Sequence, residues 1–180
     1  VLLAGLVLVL GATVPTTVTD RPADGPTDRR AAAPCLRLSK AGTLVSGEVK
    51  VCPGRYRIAD PTERGVMIVN GSGTRIDLTG VTLESGDSLP ERFIGLGITT
   101  RGADSVTIRG GRIRGYRYGI RIEGGRGHRV SGVNLSGSRA QALRSTPERF
   151  DEADWLDIFR PDTFETYGAG LYLRRTERAQ

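Results

Sequence analysis

Carboxylates recur at regular spacing in the segment 145–162, and they are the first residues of this sequence that could carry out chemistry. Asp151, Asp154 and Asp157 lie three residues apart, with Trp155 among them. On a helix, this spacing places the three acids on one face. A pair of acids beside an aromatic ring suits a sugar site, because one acid transfers a proton and the other stabilises charge. We therefore take Asp154 and Asp157 as candidate catalytic residues and Trp155 as a candidate substrate-binding residue.

A cluster of arginines is the second candidate. Six of them lie close together: Arg112, Arg114, Arg117, Arg121, Arg126 and Arg129. Alternation along a strand sends Arg112 and Arg114 to one side, away from Ile113. A guanidinium group binds carboxylates and sulfates through paired hydrogen bonds, so these side chains could hold a uronate-bearing or sulfated chain. The candidate substrate-binding arginines are Arg114, Arg117 and Arg121.

The arginine content also has a simpler explanation. The net charge is +6, and Lys40 and Lys50 are the only lysines among 26 basic residues, so 24 are arginine. A GC-rich genome produces this bias, and outward arginines then pair with local acids such as Glu123. We do not expect nucleic acid as a partner, because few aromatic residues are available for base stacking.

A metal site and a nucleotide site are not expected. His128 is the only histidine, and with Cys35 and Cys52 it cannot fill a four-coordinate zinc site. A single histidine at a turn is more often structural or solvated than catalytic. The glycines of 124–127 lack the strand and helix that flank a nucleotide-binding loop. Cofactor requirement and oligomeric state stay open.

An internal repeat of 22 residues predicts the elements that position these side chains. The repeat aligns apolar residues with apolar residues and glycine with glycine: Gly97 with Gly119, Ile98 with Ile120, Ile108 with Val130, Gly110 with Gly132, Ile113 with Leu135. Short alternating runs separated by glycine indicate strands of three to five residues. Leucine-rich repeats would need a Leu and Asn ladder, and propeller blades about 40 residues. The pattern therefore predicts an all-β, right-handed parallel β-helix, in which each repeat forms one rung.

Two departures from the 22-residue period predict insertions. At an offset of 30, Ile76, Leu78 and Leu83 match Val106, Ile108 and Ile113, which leaves eight extra residues around 86–93. At an offset of 51, the run 170–173 matches the run 119–122. We interpret the second departure as one rung that carries a long excursion.

The excursion from Ser145 to Asp162 reads as one inserted helix. Ser145 or Thr146 can cap the helix, Glu148 completes a Ser-x-x-Glu capping box, and Pro161 ends the helix. The side chains expected to face the rungs are Phe150, Leu156 and Phe159. The alternative to a catalytic helix is a solvated acidic face on a docking helix, with Trp155 in the packing.

The first 34 residues read as a signal peptide followed by a polar leader. An apolar run over 1–14 has the length of a signal-peptide core and is short for a membrane span. A core helix is the alternative for this run. We expect a secreted or periplasmic protein with no stable membrane span after cleavage. In an oxidising compartment Cys35 and Cys52 should form a disulfide, whereas without export they would be free thiols.

Three motifs resemble the pectin-lyase-like parallel β-helix (PbH1 repeat) proteins. The run from Cys52 to Ile58 resembles their Pro-Gly-x-Tyr-x-Ile opening, the run from Ile76 to Leu83 their first complete rungs, and the run from Gly119 to Ile122 their generic repeat. The resemblance covers about 35–180. It implies an N-terminal cap near 35–60 and the first four to five rungs of a domain that is incomplete at its C-terminus.

The resemblance implies a range of activities rather than one. Such proteins include polysaccharide lyases, glycoside hydrolases and non-catalytic proteins, because the same scaffold supports many functions. The Asn-Thr-Asp and Asp-Asp motifs of galacturonases and the Arg-x-Pro-x-x-Arg motif of pectate lyases are absent from the sequence. We expect a protein that binds or cleaves an extracellular polysaccharide of acidic type. The alternative is a non-catalytic periplasmic or cell-surface module, such as a maturation helper or an adhesin.

Overall fold

The computed structural model describes residues 34–141, 143–154 and 167–180. The apolar run and polar leader over 1–33 lie outside the described residues. So do the candidate site residues Trp155 and Asp157, together with the end of the segment expected to be helical.

In the described part of the chain, β-strands form three sheets, and every strand pair is parallel. The strands of the first sheet are, in spatial order, β1 (Thr43–Val45), β4 (Met67–Val69), β7 (Leu96–Arg101), β10 (Tyr118–Glu123) and β12 (Ala169–Arg174). Those of the second are β2 (Glu48–Lys50), β5 (Arg75–Asp77), β8 (Thr107–Arg109) and β11 (Arg129–Ser131). Those of the third are β3 (Gly54–Arg57), β6 (Val81–Glu84) and β9 (Arg112–Arg114).

Successive strands visit the first, second and third sheets in turn, and the chain then returns to the first sheet. Each passage adds one strand to each sheet, and we call one such passage a rung. The expectation of an all-β chain with parallel strands is therefore confirmed.

Alternation along the short strands builds the core. In β5 and β9 the middle residue is buried while both neighbours are more exposed. The inward side chains of successive rungs stack on one another, and they include Ile76, Leu83, Ile98, Ile108, Ile113, Ile120 and Ile122. Burying each such side chain contributes roughly 1.5–3 kcal/mol. The outward neighbours are free to be polar.

Strand register confirms the 22-residue repeat. Ile120 pairs with Ile98 between β10 and β7, and Val130 pairs with Ile108 between β11 and β8. The offset of 51 is also confirmed, because Leu171 of β12 pairs with Ile120. Hydrogen bonding between rungs therefore follows the sequence repeat even where a long excursion separates the paired strands.

The offset of 30 is correct for the third sheet and wrong for the second. Leu83 pairs with Ile113 as expected, but Ile76 pairs with Ile108, at an offset of 32, and not with Val106. The corner after β5 is longer than the corner after β8. Leu78 turns inward at the longer corner and is buried. A Cβ on Gly111 in the next rung would lie 2.7 Å from Cβ of Leu78, so glycine at this position leaves room for the leucine.

A column of glycines lets the first and third sheets approach closely. A Cβ on Gly97 would lie 2.6 Å from Cγ2 of Ile113 and 2.5 Å from the carbonyl oxygen of Gly119. A Cβ on Gly119 would lie 3.0 Å from Cδ2 of Leu135 and 2.7 Å from the carbonyl oxygen of Gly170. Because a side chain would collide with the core and with the next rung, only glycine fits these positions.

The inserted helix expected from Ser145 is absent over residues 145–151. The chain makes a turn there, with a bridge between Thr146 and Arg149, and a single 3-10 turn follows at Glu152–Asp154. The Thr146 hydroxyl accepts the backbone N–H groups of Glu148 and Arg149, as in a helix cap. Ser, Thr and Asp side chains that bond nearby backbone compete with helix formation. Thr146 thus provides the capping hydroxyl, the Ser145–Glu148 capping box does not form, and the bonds close a loop and not a helix.

The expected disulfide between Cys35 and Cys52 is present and joins residues 17 positions apart. The N–H of Leu36 donates to the carbonyl of Lys50, and the N–H of Cys52 donates to the carbonyl of Leu36. The disulfide and these bonds fix the first described residues against the end of β2. Among the described residues, we find no helix with the length and apolar character needed to cross a membrane.

The glycine column can be tested with Gly119→Ala. We expect the variant to lose about 1–3 kcal/mol of unfolding free energy, because the added methyl overpacks the core and presses on the next rung. Gly71→Ala is the matched control, since its nearest contacts, at 3.6 Å or more, are ordinary. Urea unfolding followed by circular dichroism measures both variants. Equal midpoints for the two would contradict this explanation.

Candidate functional site

The irregular loops of the chain meet at one corner of the stack, where the chain passes from the third sheet to the first. The corners from the first to the second sheet and from the second to the third are at most five residues long. The segments at the third-to-first corner are 58–66, 85–95, 115–117 and 138–168, the last described only in part. Loops of variable length on a rigid scaffold are the usual place for binding and catalysis.

Asp60 anchors the first of these loops. Its side chain is buried, and its Oδ2 accepts the N–H groups of Gly65 at 2.8 Å and of Leu96 at 2.9 Å. Its Oδ1 accepts the hydroxyl of Thr62 at 3.0 Å. Three donors offset the free-energy cost of burying the carboxylate. The loop 58–66 is thereby fixed to the start of β7.

Tyr116 anchors the short corner 115–117. Its ring is fully buried, and its hydroxyl donates to the carbonyl of Ile58 at 2.7 Å. Burial raises the pKa of the Tyr116 phenol well above its usual range, and the nearby carboxylates of Asp60 and Glu84 raise it further. The phenol is therefore neutral and acts as a hydrogen-bond donor that joins two corner loops.

Arg117, a predicted substrate-binding residue, joins the same loops from the outside. Its Nη2 lies 2.9 Å from Oε1 of Glu63, a residue with a φ of +54°. Its Nε is buried and has no hydrogen-bond partner in the described part of the chain. The contacts of Arg117 thus explain how the corner is held together, and its binding of a substrate stays a prediction.

Glu84 lies at the centre of the outer face of the third sheet. Its side chain is only 8% exposed. Nε of Arg55 lies 2.9 Å from Oε1, and Nη2 of Arg114 donates to Oε2 at 2.8 Å. Nε of Arg57 is more distant, at 3.5 Å from Oε1. Three arginines from the two neighbouring strands thus surround one carboxylate.

These arginines also determine the protonation state of Glu84. The hydrogen bond from Arg55 lowers the pKa of the Glu84 carboxyl, burial acts in the opposite direction, and Arg114 lowers it further. Glu84 is consequently ionised near neutral pH. A general acid needs a proton to donate, so this carboxylate is suited to holding cations and not to acid catalysis.

The outer face of the third sheet carries a surplus of positive charge. Its outward residues are Arg55 and Arg57 on β3, Thr82 and Glu84 on β6, and Arg112 and Arg114 on β9. Four cations and one anion therefore lie on three adjacent strands, which are separated by roughly 4.8 Å each. Arg112 and Arg114 flank the buried Ile113 on the outer side, as the alternation predicts.

A cleft of about 320 Å³ opens beside this face. Arg57, Glu84 and Arg114 line one side, and the loop residues from Gly86 to Phe93 line the other. The loop contains the insertion expected around 86–93. All residues that line this cleft belong to the described part of the chain. We take the cleft and the arginines of the third sheet as the candidate functional site.

Arg121 lies on the first sheet and therefore not on the same face as Arg114. Its guanidinium lies 5.8 Å from the ring centre of Tyr118 and 5.5 Å from that of Tyr172, and it is hydrogen-bonded to Glu123. The structure thus places the predicted substrate-binding arginines at different positions around one corner. Whether Arg121 binds a substrate stays a prediction.

Asp154, a predicted catalytic residue, closes the loop 144–154. Its carboxylate accepts the N–H of Arg144 at 2.8 Å and the N–H of Ser145 at 2.6 Å. The hydrogen bond from the Arg144 backbone is the largest of the effects that lower the pKa of the Asp154 carboxyl. The described contacts are those of a loop-closing residue, and the catalytic roles of Asp154 and Asp157 stay predictions.

His128 belongs to the core. The repeat places it at the position of Val106 in the preceding rung, and both side chains are buried. Its Nε2 lies 3.1 Å from the carbonyl oxygen of Gly124. Within the described residues, no group of three or more His, Cys, Asp or Glu side chains could hold a metal ion.

Sequence reasoning missed three residues on which this corner depends: Glu84, Asp60 and Tyr116. The sequence Asp60-Pro61-Thr62 is a turn signal that could have indicated the buried carboxylate. Glu84 gives no local signal, because its partners Arg55 and Arg114 are 29 and 30 residues away in sequence.

The charge network can be tested with Glu84→Gln. We expect a loss of about 1–3 kcal/mol of unfolding free energy, since the variant leaves clustered arginines without their anion. Because folding lowers the pKa of Glu84, its contribution is complete above the unfolded-state pKa of about 4.3 and declines as the pH falls below it. The difference in unfolding free energy between wild type and variant should therefore shrink in acid.

Thr82→Ala, on the outer face of the same strand, is the control. Denaturant unfolding at pH 7 and pH 3 measures all three proteins, and a neutral effect of Glu84→Gln at pH 7 would disprove the role.

Comparison of the chain with protein-family models, with curated proteins and with solved structures finds no match.

Proposed function

We propose that this chain forms part of an exported, right-handed parallel β-helix protein of pectin-lyase-like type, which binds an acidic extracellular polysaccharide along its third sheet. The cyclic order of strands through three parallel sheets supports the β-helix. Parallel crossover connections are almost always right-handed. The three resemblance motifs fall on β3, on β5 and β6, and on β10, where such a fold would place them.

The disulfide supports export. Bonds such as that between Cys35 and Cys52 persist in oxidising compartments and are rare in the cytoplasm. A secreted or periplasmic location would also bring the protein into contact with extracellular polysaccharides.

The charge on the outer face of the third sheet is the evidence for the proposed ligand. Four arginines and one glutamate lie on three adjacent strands, with Arg55 and Arg57 on β3, Arg112 and Arg114 on β9, and Glu84 on β6 between them. A polymer with a charge on each sugar can contact several of these arginines at once, whereas a small anion contacts one or two. Bidentate hydrogen bonds from guanidinium groups suit both carboxylates and sulfates.

Binding is the activity for which the described geometry provides the groups. Glycoside hydrolysis needs one carboxyl group with a raised pKa to protonate the leaving group. The pKa values of Glu84 and Asp154 are both lowered. Neither carboxyl is therefore suited to be that general acid. The proposed function is recognition of the polysaccharide, and the catalytic roles of Asp154 and Asp157 stay predictions.

A charge reversal on the third sheet tests the proposal. We expect Arg112→Glu to weaken binding to polygalacturonate at least tenfold at low ionic strength, because it replaces an attraction with a repulsion. The loss should be smaller at high salt, where exposed charges are screened. Isothermal titration calorimetry at two salt concentrations measures it, with neutral dextran as the control ligand.

Arg75→Glu is the matched control variant, since Arg75 is an exposed residue on the outer side of the second sheet. It should change the affinity for polygalacturonate much less than Arg112→Glu does. Equal losses in both variants would indicate general attraction to a basic protein and would contradict binding along the third sheet.

A further inference from the structure

The cleft between Arg57 and the loop 86–93 differs from the rest of the arginine face in shape and in chemistry. Its volume of about 320 Å³ lies at the lower end of the range of small-molecule sites, which is roughly 300–1,000 Å³. This space suits one monosaccharide and not a length of polymer. We infer that the cleft is a binding pocket for a single carboxylate-bearing sugar unit, a chain end or a branch, with Arg57 as the residue that binds the carboxylate.

Arg57 is the most exposed and the most loosely paired of the three arginines that surround Glu84. Its closest acidic partner in the described residues is Glu84 at 3.5 Å, and its side chain is 73% exposed. Glu84 already has close partners in Arg55 at 2.9 Å and Arg114 at 2.8 Å. The outer nitrogens of the Arg57 guanidinium thus remain available for paired hydrogen bonds to a carboxylate.

Gly86 positions the Arg57 side chain at the mouth of the cleft. A Cβ on Gly86 would lie 3.0 Å from Cγ and 3.1 Å from Cδ of Arg57. Gly86 also has a φ of +92°, a conformation that disfavours other residues. The loop therefore leaves room for the arginine stem to lie across it, and this placement directs the guanidinium along the wall of the cleft.

The opposite wall offers contacts for a sugar ring. Asp87 accepts the N–H groups of Ser88 and Leu89 through Oδ1, which leaves Oδ2 able to accept a sugar hydroxyl. Phe93 also lines the cleft but is only 7% exposed, so it offers a small apolar patch to the C–H face of a sugar. A small anion without hydroxyl groups would gain neither contact. The cleft should therefore favour an acidic sugar over a simple carboxylate.

The inference rests on the proposed function but is tested separately from it. Saturation-transfer NMR and calorimetry on the protein with galacturonate, galactose and acetate compare an acidic sugar, a neutral sugar and a simple carboxylate. We expect saturable binding of galacturonate and at least tenfold weaker binding of galactose and acetate. Equal binding of galacturonate and acetate, or no saturable binding of galacturonate, would overturn the inference.

Variants of Arg57 test whether galacturonate binds in the cleft. Arg57→Gln should abolish galacturonate binding, and Arg57→Lys should reduce it about tenfold or more, because an ammonium group keeps the charge but loses the bidentate geometry. Arg75→Gln, on the outer side of the second sheet, should leave it unchanged. A thermal melt within a few degrees of wild type establishes that each variant is folded. Wild-type galacturonate affinity in folded Arg57→Gln would overturn the inference.

The two proposals fail in different ways. If polygalacturonate binding depends on Arg112 and galacturonate does not bind, the inference of a monosaccharide pocket is wrong and the proposal of a polymer-binding face is supported. If galacturonate binding depends on Arg57 and polygalacturonate binding does not depend on Arg112, the proposal of a polymer-binding face is wrong and the inference of a monosaccharide pocket is supported. If neither ligand binds, both proposals fall.

Discussion

Parallel hydrogen bonding between rungs is the constraint on which the rest of this structure depends. It stacks equivalent positions of successive rungs about 4.8 Å apart, so every outward charge has neighbours at that distance. Like charges that are brought together in this way repel each other, and an anion between them offsets the repulsion. The third sheet can carry Arg55 and Arg114 on its outer face because Glu84 lies between them and hydrogen-bonds both. The same arrangement leaves Arg57 more loosely held and available to a ligand.

The same constraint decides where the chain can vary. Insertions within a strand would break the ladder, whereas insertions at a corner leave the paired strands in register. The long loops are found at the third-to-first corner, and buried polar groups hold two of the corner segments in place. Asp60 fixes one loop to β7, and Tyr116 joins the short corner to Ile58. The candidate cleft lies between the third sheet and the loop 85–95, whose two ends continue into β6 and β7.

Periodic features could be predicted from the sequence, and features that depend on contacts between distant rungs could not. The offsets of 22 and 51 are correct because Ile98, Ile120 and Leu171 must all face the core. The pairing of Ile76 with Val106 is wrong because glycine-rich corners change length without changing the apolar pattern. The helix at 145–151 fails because Asp154 and Thr146 bond the backbone locally. Of the predicted binding residues, Arg114 lines the cleft, whereas its partner Glu84 could be identified only from the three-dimensional pairing.

A crystal structure of the protein with a short oligogalacturonate bound would test the central claim most directly. The account predicts density for the sugar along the outer face of the third sheet, with carboxylate oxygens within hydrogen-bond distance of Arg112 and Arg57. Ordered sugar on the first sheet, for example against Arg121 and Tyr172, with none on the third sheet would contradict it.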